Sequence, residues 1–137
     1  MKWYLAGPMS GIPQFNIPQF DFATDKLRSL GYDITSPAEL DSVEVRTAAM
    51  KSTTGAHADV VSIETWGDML ARDVKIITDN MDGIVFLPGW HESNGARLEA
   101  YVALLTQKKF ALYLNGTLKH MDKQGVKTWL IHGINGS

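Results

Sequence analysis

Apolar positions along this chain change period several times, and the changes mark its elements. Trp3 to Ala6, Tyr32 to Thr35, Gly83 to Leu87 and Phe110 to Leu114 are short, dense apolar runs bounded by turn residues, and they predict strands. Between the first two, Phe20, Ala23, Leu27 and Leu30 recur at helical spacing. Asn16 offers a cap, Pro18 suits the first turn, and Gly31 marks the C-terminal stop. A second helical stripe, Trp66, Met69, Leu70, Ile76 and Ile77, predicts a helix from Ile63 to about Asp79. A third helix follows the turn Pro88 to Gly95 and runs to about Gln107, with Leu98, Tyr101, Val102 and Leu105 read as its core face. Asn115-Gly116 makes a turn after the fourth strand, and Val126 to Ile131 forms an element of undecided type.

Strands alternating with helices over short connections imply a mostly parallel sheet covered on both faces. A four- or five-stranded flavodoxin-like three-layer α/β sandwich is the simplest such arrangement, with residues 1–137 forming one domain. Residues 38–63 break the alternation. Glu44 to Lys51 suits a short helix, and Ser52-Thr53-Thr54-Gly55 interrupts it, so the segment reads as a candidate lid.

In open sheets of this kind ligands bind beyond the carboxyl ends of the strands. Two loops fall there: Gly7 to Phe15 after the first strand, opening Gly7-Pro8-Met9-Ser10-Gly11, and Pro88 to Gly95 after the third. The glycines of the first either make a simple turn or let backbone approach a ligand closely. In the second, Ser93 suits a helix cap, and the same hydroxyl with the N–H groups of Asn94 and Gly95 suits an anion or a 5′-hydroxyl. Trp90 either stacks on a base or covers the core. Tyr4, at the end of the first strand, reads as a half-buried packing residue with a hydroxyl to spare.

Two acids complete the set. Asp73 falls on the apolar stripe of its helix, whereas Asp68, Arg72 and Asp79 fall on the solvated side. A carboxyl on a buried face must be paired, hydrogen-bonded or protonated, so Asp73 is either an anchor for a loop or an Arg, or an acid able to give a proton. Glu99 lies on the flank of its helix one turn beyond Gly95. By itself it is a surface residue; beside a ligand-type turn it can meet a bound sugar.

Composition narrows the chemistry. The 137 residues are 45% hydrophobic and 20% charged with net charge -2, which suits one soluble domain and no duplex nucleic-acid partner, since no run of Lys and Arg is present. Without cysteine there is no thiolate nucleophile, disulfide or Cys-based zinc site. The four histidines show no ligand spacing, so neither a metal nor a cofactor is expected. No run is long enough to span a membrane, and the apolar part of Met1 to Ala6 is too short for a secretory signal, leaving the cytoplasm as the expected location.

The segments Trp3 to Gly11, Ala71-Arg72-Asp73 and Ile84 to Ala103 together resemble the nucleoside 2-deoxyribosyltransferase superfamily, which includes nucleotide N-hydrolases. Ser93-x-Gly95-x-x-x-Glu99, following a strand and opening a helix, is the most specific part. The resemblance implies Glu99 as the nucleophile at C1′, Asp73 as the group assisting the departing base, and Tyr4 as a contact of the glutamate or sugar. Ser93 falls at the position that reads the 5′ end. Serine there tolerates a phosphate where aspartate would repel it, favouring a nucleoside 5′-monophosphate. A homodimer is a further implication. In that scheme Glu99 is ionised and Asp73 protonated. A non-catalytic nucleotide sensor and an NAD-cleaving enzyme are the alternative expectations.

Overall fold

The structure, a computed structural model, describes residues 1–134. Five strands form one sheet in the order β2-β1-β3-β4-β5, with β1 at Lys2–Ala6, β2 at Asp33–Thr35, β3 at Gly83–Phe86, β4 at Lys109–Leu114 and β5 at Thr117–Met121. The first four are parallel, and β5 returns antiparallel to β4. Helices cover both faces, so the fold is a flavodoxin-like three-layer α/β sandwich.

Alternation along the strands sends side chains to two cores. Trp3, Leu5, Val85, Leu87 and Ala111 meet α1 (Ile17–Ser29) through Phe20, Ala23 and Leu27. Tyr4, Ala6, Ile84, Phe86 and Phe110 meet α4 (Trp66–Asn80), α5 (Asn94–Leu105) and α6 (Lys123–Ile134). Thr65 Oγ1 caps α4 through the Asp68 N–H. Asn16 does not cap α1; its amide donates instead to the Pro8 carbonyl at 2.8 Å and fastens the first loop.

The apolar stripe of α5 faces opposite to the sequence expectation. Ala96, Glu99, Ala100 and Ala103 are buried, while Leu98, Tyr101 and Leu105 are exposed. The large rings of Phe86, Trp90 and Phe110 already fill that side of the sheet, so only small side chains fit beneath the helix.

Residues 37–60 form a wall beside the first loop, with the expected short helix inside it. Here α2 (Pro37–Leu40), α3 (Val43–Lys51) and a 3-10 turn at His57–Asp59 succeed one another. The wall is stitched to the first loop: Gly11 N–H donates to Gly55 O at 2.9 Å and Gln14 N–H to Ser52 O at 2.8 Å. Gly55 has φ +72, and a Cβ there would lie 2.2 Å from the Ile12 carbonyl oxygen, so only glycine permits this approach. Among the described residues, no helix is long and apolar enough to cross a membrane.

Candidate functional site

From β1 the chain leads to α1 and the edge strand β2, while β3 leads through α5 to β4 on the other side. That divergence opens a crevice where Ala6 and Phe86, register partners, end their strands. A cavity of about 260 Å³ occupies the crevice, bounded by the first loop, α4, the 37–60 wall and the start of α5. It is slightly below the roughly 300–1,000 Å³ usual for small-molecule sites.

Three candidate side chains meet at its base. Tyr4 donates its hydroxyl to Glu99 Oε2 at 2.6 Å, joining β1 to α5. Asp73 reaches the same cavity from α4. All three are buried, Tyr4 completely and the two acids to 6–7% exposure. Sequence periodicity correctly placed Asp73 on the buried stripe; Glu99, read as flanking, faces inward with it.

Arg72 departs from its expected solvated position. Its Nε donates to Asp73 Oδ1 at 2.9 Å and its Nη1 to Asp41 Oδ1 at 2.8 Å, so one guanidinium binds two largely buried carboxylates. The helical angle places only the Cα of Arg72; its long stem lets the head fold back over the cavity rim. Of the readings open to Asp73, these contacts show the pairing with an arginine, and they leave its part as a proton donor open.

Electrostatics follow from these contacts. Burial, then the nearby charge of Asp73, pushes the Glu99 carboxyl up to about 8, and the Tyr4 hydrogen bond and Arg72 offset this only in part. Burial raises Asp73 as well, but Arg72 opposes the rise through its charge and its hydrogen bond. Tyr4 is raised by burial and by the two carboxylates. Burial thus favours the protonated form of both acids, and the cation beside Asp73 opposes this more directly there than at Glu99.

The expected loop residues divide. Gly7, Met9, Ser10, Ser93, Asn94 and Gly95 all line the cavity. Gly7 is buried against Leu87, where a Cβ would come within 2.8 Å of the leucine Cβ. Gly11 is turned away and serves the backbone bond to Gly55. Ser93 caps α5 through the Ala96 N–H at 3.3 Å while facing the cavity. Ser10 Oγ lies 2.5 Å from His57 Nε2. Trp90 does not reach the cavity: it is 2% exposed and stacks on Phe86 with centroids 4.0 Å apart, so its core-covering reading holds.

Sequence reasoning missed Asp41, Arg72, His57 and Trp66 as cavity residues. No motif marks them. The one available signal was the adjacency of Arg72 and Asp73 on a helix. Among the described residues, no group of three or more His, Asp or Glu side chains is arranged to hold a metal.

Residues 1–113 match the family described as "Domain of unknown function (DUF4406)", and the chain belongs to that family. No curated protein and no solved structure matches the chain.

Proposed function

We propose that this member of the family is an N-glycosidase or deoxyribosyltransferase acting on a nucleoside or its 5′-monophosphate. The observation carrying the reading is the convergence of Asp73 and Glu99 on one cavity, with the Tyr4 hydroxyl bonded to Glu99. The resemblance of Trp3 to Gly11 and of Ser93 to Glu99 to the deoxyribosyltransferases gives that convergence its chemistry.

Breaking the bond between C1′ and the base nitrogen sends the bonding pair to the base and leaves positive charge on the sugar. The proton held by the carboxyl pair goes to the base, so a neutral base departs. Glu99, now ionised, faces C1′ and forms an ester with it, as in retaining glycosidases. Water then attacks C1′, breaks the ester and returns a proton to the pair; in transfer, a second base takes the place of water. Tyr4 steadies the Glu99 carboxylate through its hydrogen bond. Arg72 opposes, through its charge and its hydrogen bond, the protonation that burial favours at Asp73.

Charge at the cavity wall bears on the 5′ group. Asp41, Asp73, Glu92 and Glu99 line it, and Arg72 is already bonded to two of them. A neutral nucleoside meets less repulsion there than a phosphate dianion, whose favourable contact would be the N–H groups opening α5. This weighs against the preference for a monophosphate drawn from Ser93.

The test is incubation with a panel of nucleosides and 5′-monophosphates, in the presence and absence of a second base, followed by mass spectrometry. Free base identifies hydrolysis and a swapped nucleoside identifies transfer. Saturable binding with no product from any member would make the protein a nucleotide sensor.

A further inference from the structure

We propose that the stacked rings of His57 and Trp66 are the receptor for a planar heteroaromatic group, which makes Trp66 a specificity-determining residue of the cavity. The identity of the ligand as the base of a nucleoside rests on the reading above; the ring receptor does not depend on chemistry at Glu99.

The two rings stack with centroids 4.7 Å apart and planes at 27°, and both line the cavity. Trp66 opens α4 and is 38% exposed, quite unlike Trp90, which is buried against Phe86. A half-exposed indole contributes little to the core, and its free surface is apolar and polarisable. His57 Nε2 lies within hydrogen-bond distance of Ser10 Oγ, so three separate segments converge to hold the pair. Ser10 therefore has a positioning part here, through the imidazole.

Placement along α4 sets the reach. Trp66 and Asp73 are seven residues apart, two turns on one face, or about 10 Å along the axis. The aromatic pair and the acids thus stand at opposite ends of one cavity. Met9, Val60 and Met69 supply further apolar lining. A ligand with a flat apolar ring at one end and a reactive, polar carbon at the other matches this gradient. The rings replace Trp90, which the core has taken.

Binding of adenosine, thymidine, adenine and ribose is measured by calorimetry in a Glu99→Gln background, which holds any substrate uncleaved. Trp66→Ala, Trp66→Phe and His57→Ala are compared there. Trp66→Ala is expected to weaken adenosine or thymidine roughly five- to a hundredfold, the span of base–aromatic stacking, with ribose unaffected. Trp66→Phe is expected to restore most of the loss. Unchanged nucleoside affinity in Trp66→Ala, an equal loss for ribose, or no binding of any base-containing ligand would overturn the proposal. Base release by protein with Glu99 intact is assayed separately. Loss of nucleoside affinity in Trp66→Ala without base release by the wild type would sink the glycosidase reading and leave the ring receptor standing. Base release by Trp66→Ala with wild-type KM would do the reverse.

Discussion

Replacing Glu99 by Gln tests whether a buried acid is retained here against the interest of the fold. The unfolded chain ionises Glu99 near its ordinary value of 4.5, whereas the folded chain holds the proton to about 8. Between those values the unfolded state has released a proton that the native state keeps, so stability is full below about pH 4.5 and falls as pH rises through about 8. At about 1.4 kcal/mol for each pH unit, the loss is roughly 3 kcal/mol by pH 7 and about 5 kcal/mol once Glu99 is fully ionised. Glutamine keeps the shape and an oxygen to accept the Tyr4 hydroxyl, but carries no charge. After allowing about 1–2 kcal/mol for altered hydrogen bonding, Glu99→Gln should stabilise the protein by about 3 kcal/mol at pH 8. With roughly 3–4 °C in Tm per kcal/mol for a domain of this size, that is about 10 °C. Thermal unfolding of both proteins at intervals from pH 5 to pH 9 checks it. The melting curves should coincide to within about 3 °C at pH 5 and diverge upward. Parallel Tm profiles across the range would refute the reasoning.

Three other outcomes follow from the same contacts. Base release should be greatest where the carboxyl pair holds one proton, and should fall as pH rises through about 8, when Glu99 ionises without substrate; a pH–rate profile still climbing at pH 9 would oppose this. Arg72→Ala should destabilise by about 3–5 kcal/mol in urea unfolding, because it strands Asp41 and Asp73 without their cation, with Arg72→Lys recovering part of the loss; no loss would mean the ion pairs are not formed. Trp90→Ala should cost about 3–5 kcal/mol in the same assay while leaving the KM of the surviving folded protein unchanged, since the indole fills the core beneath α5; a raised KM with normal stability would return Trp90 to the site.

Much of the fold can be read from the chain where apolar periodicity is strong. β1, β3 and β4, with α1 and α4, sit within a few residues of their expected bounds because their apolar runs are dense and their turns carry Gly or Pro. β5 escaped notice because its core-facing content amounts to Leu118 with half-buried Met121, in an edge strand otherwise open to water. The type of α6 was undecided since Val126 and Leu130, one turn apart, are too few to set a period. For α5 the error was one of weighting. Leu98, Tyr101 and Leu105 dominate any hydrophobic average, yet the sheet beneath is so filled by aromatic rings that alanines pack against it.

The site divides along similar lines. Asp73 was identifiable because an acid on an apolar stripe violates a rule that folding otherwise respects. Glu99 was singled out by the turn before it and by the resemblance of the segment around it, not by periodicity. Arg72 and Asp41 lie 31 residues apart in the chain, and their bond depends on how the 37–60 wall closes over α4, which no local pattern encodes. Trp66 was assigned to the helix's apolar stripe, and the sequence could not show that this stripe runs out of the core into a cavity.

We propose that the Glu99–Asp73 pair cleaves the bond between a sugar and its base. The most direct test is quantified release of free base from the best substrate in the panel, comparing wild type with Glu99→Ala at matched concentration, both confirmed folded by circular dichroism. The wild type should release base, and the variant none above background. Equal release by the two, or none from any substrate with the wild type, would contradict it.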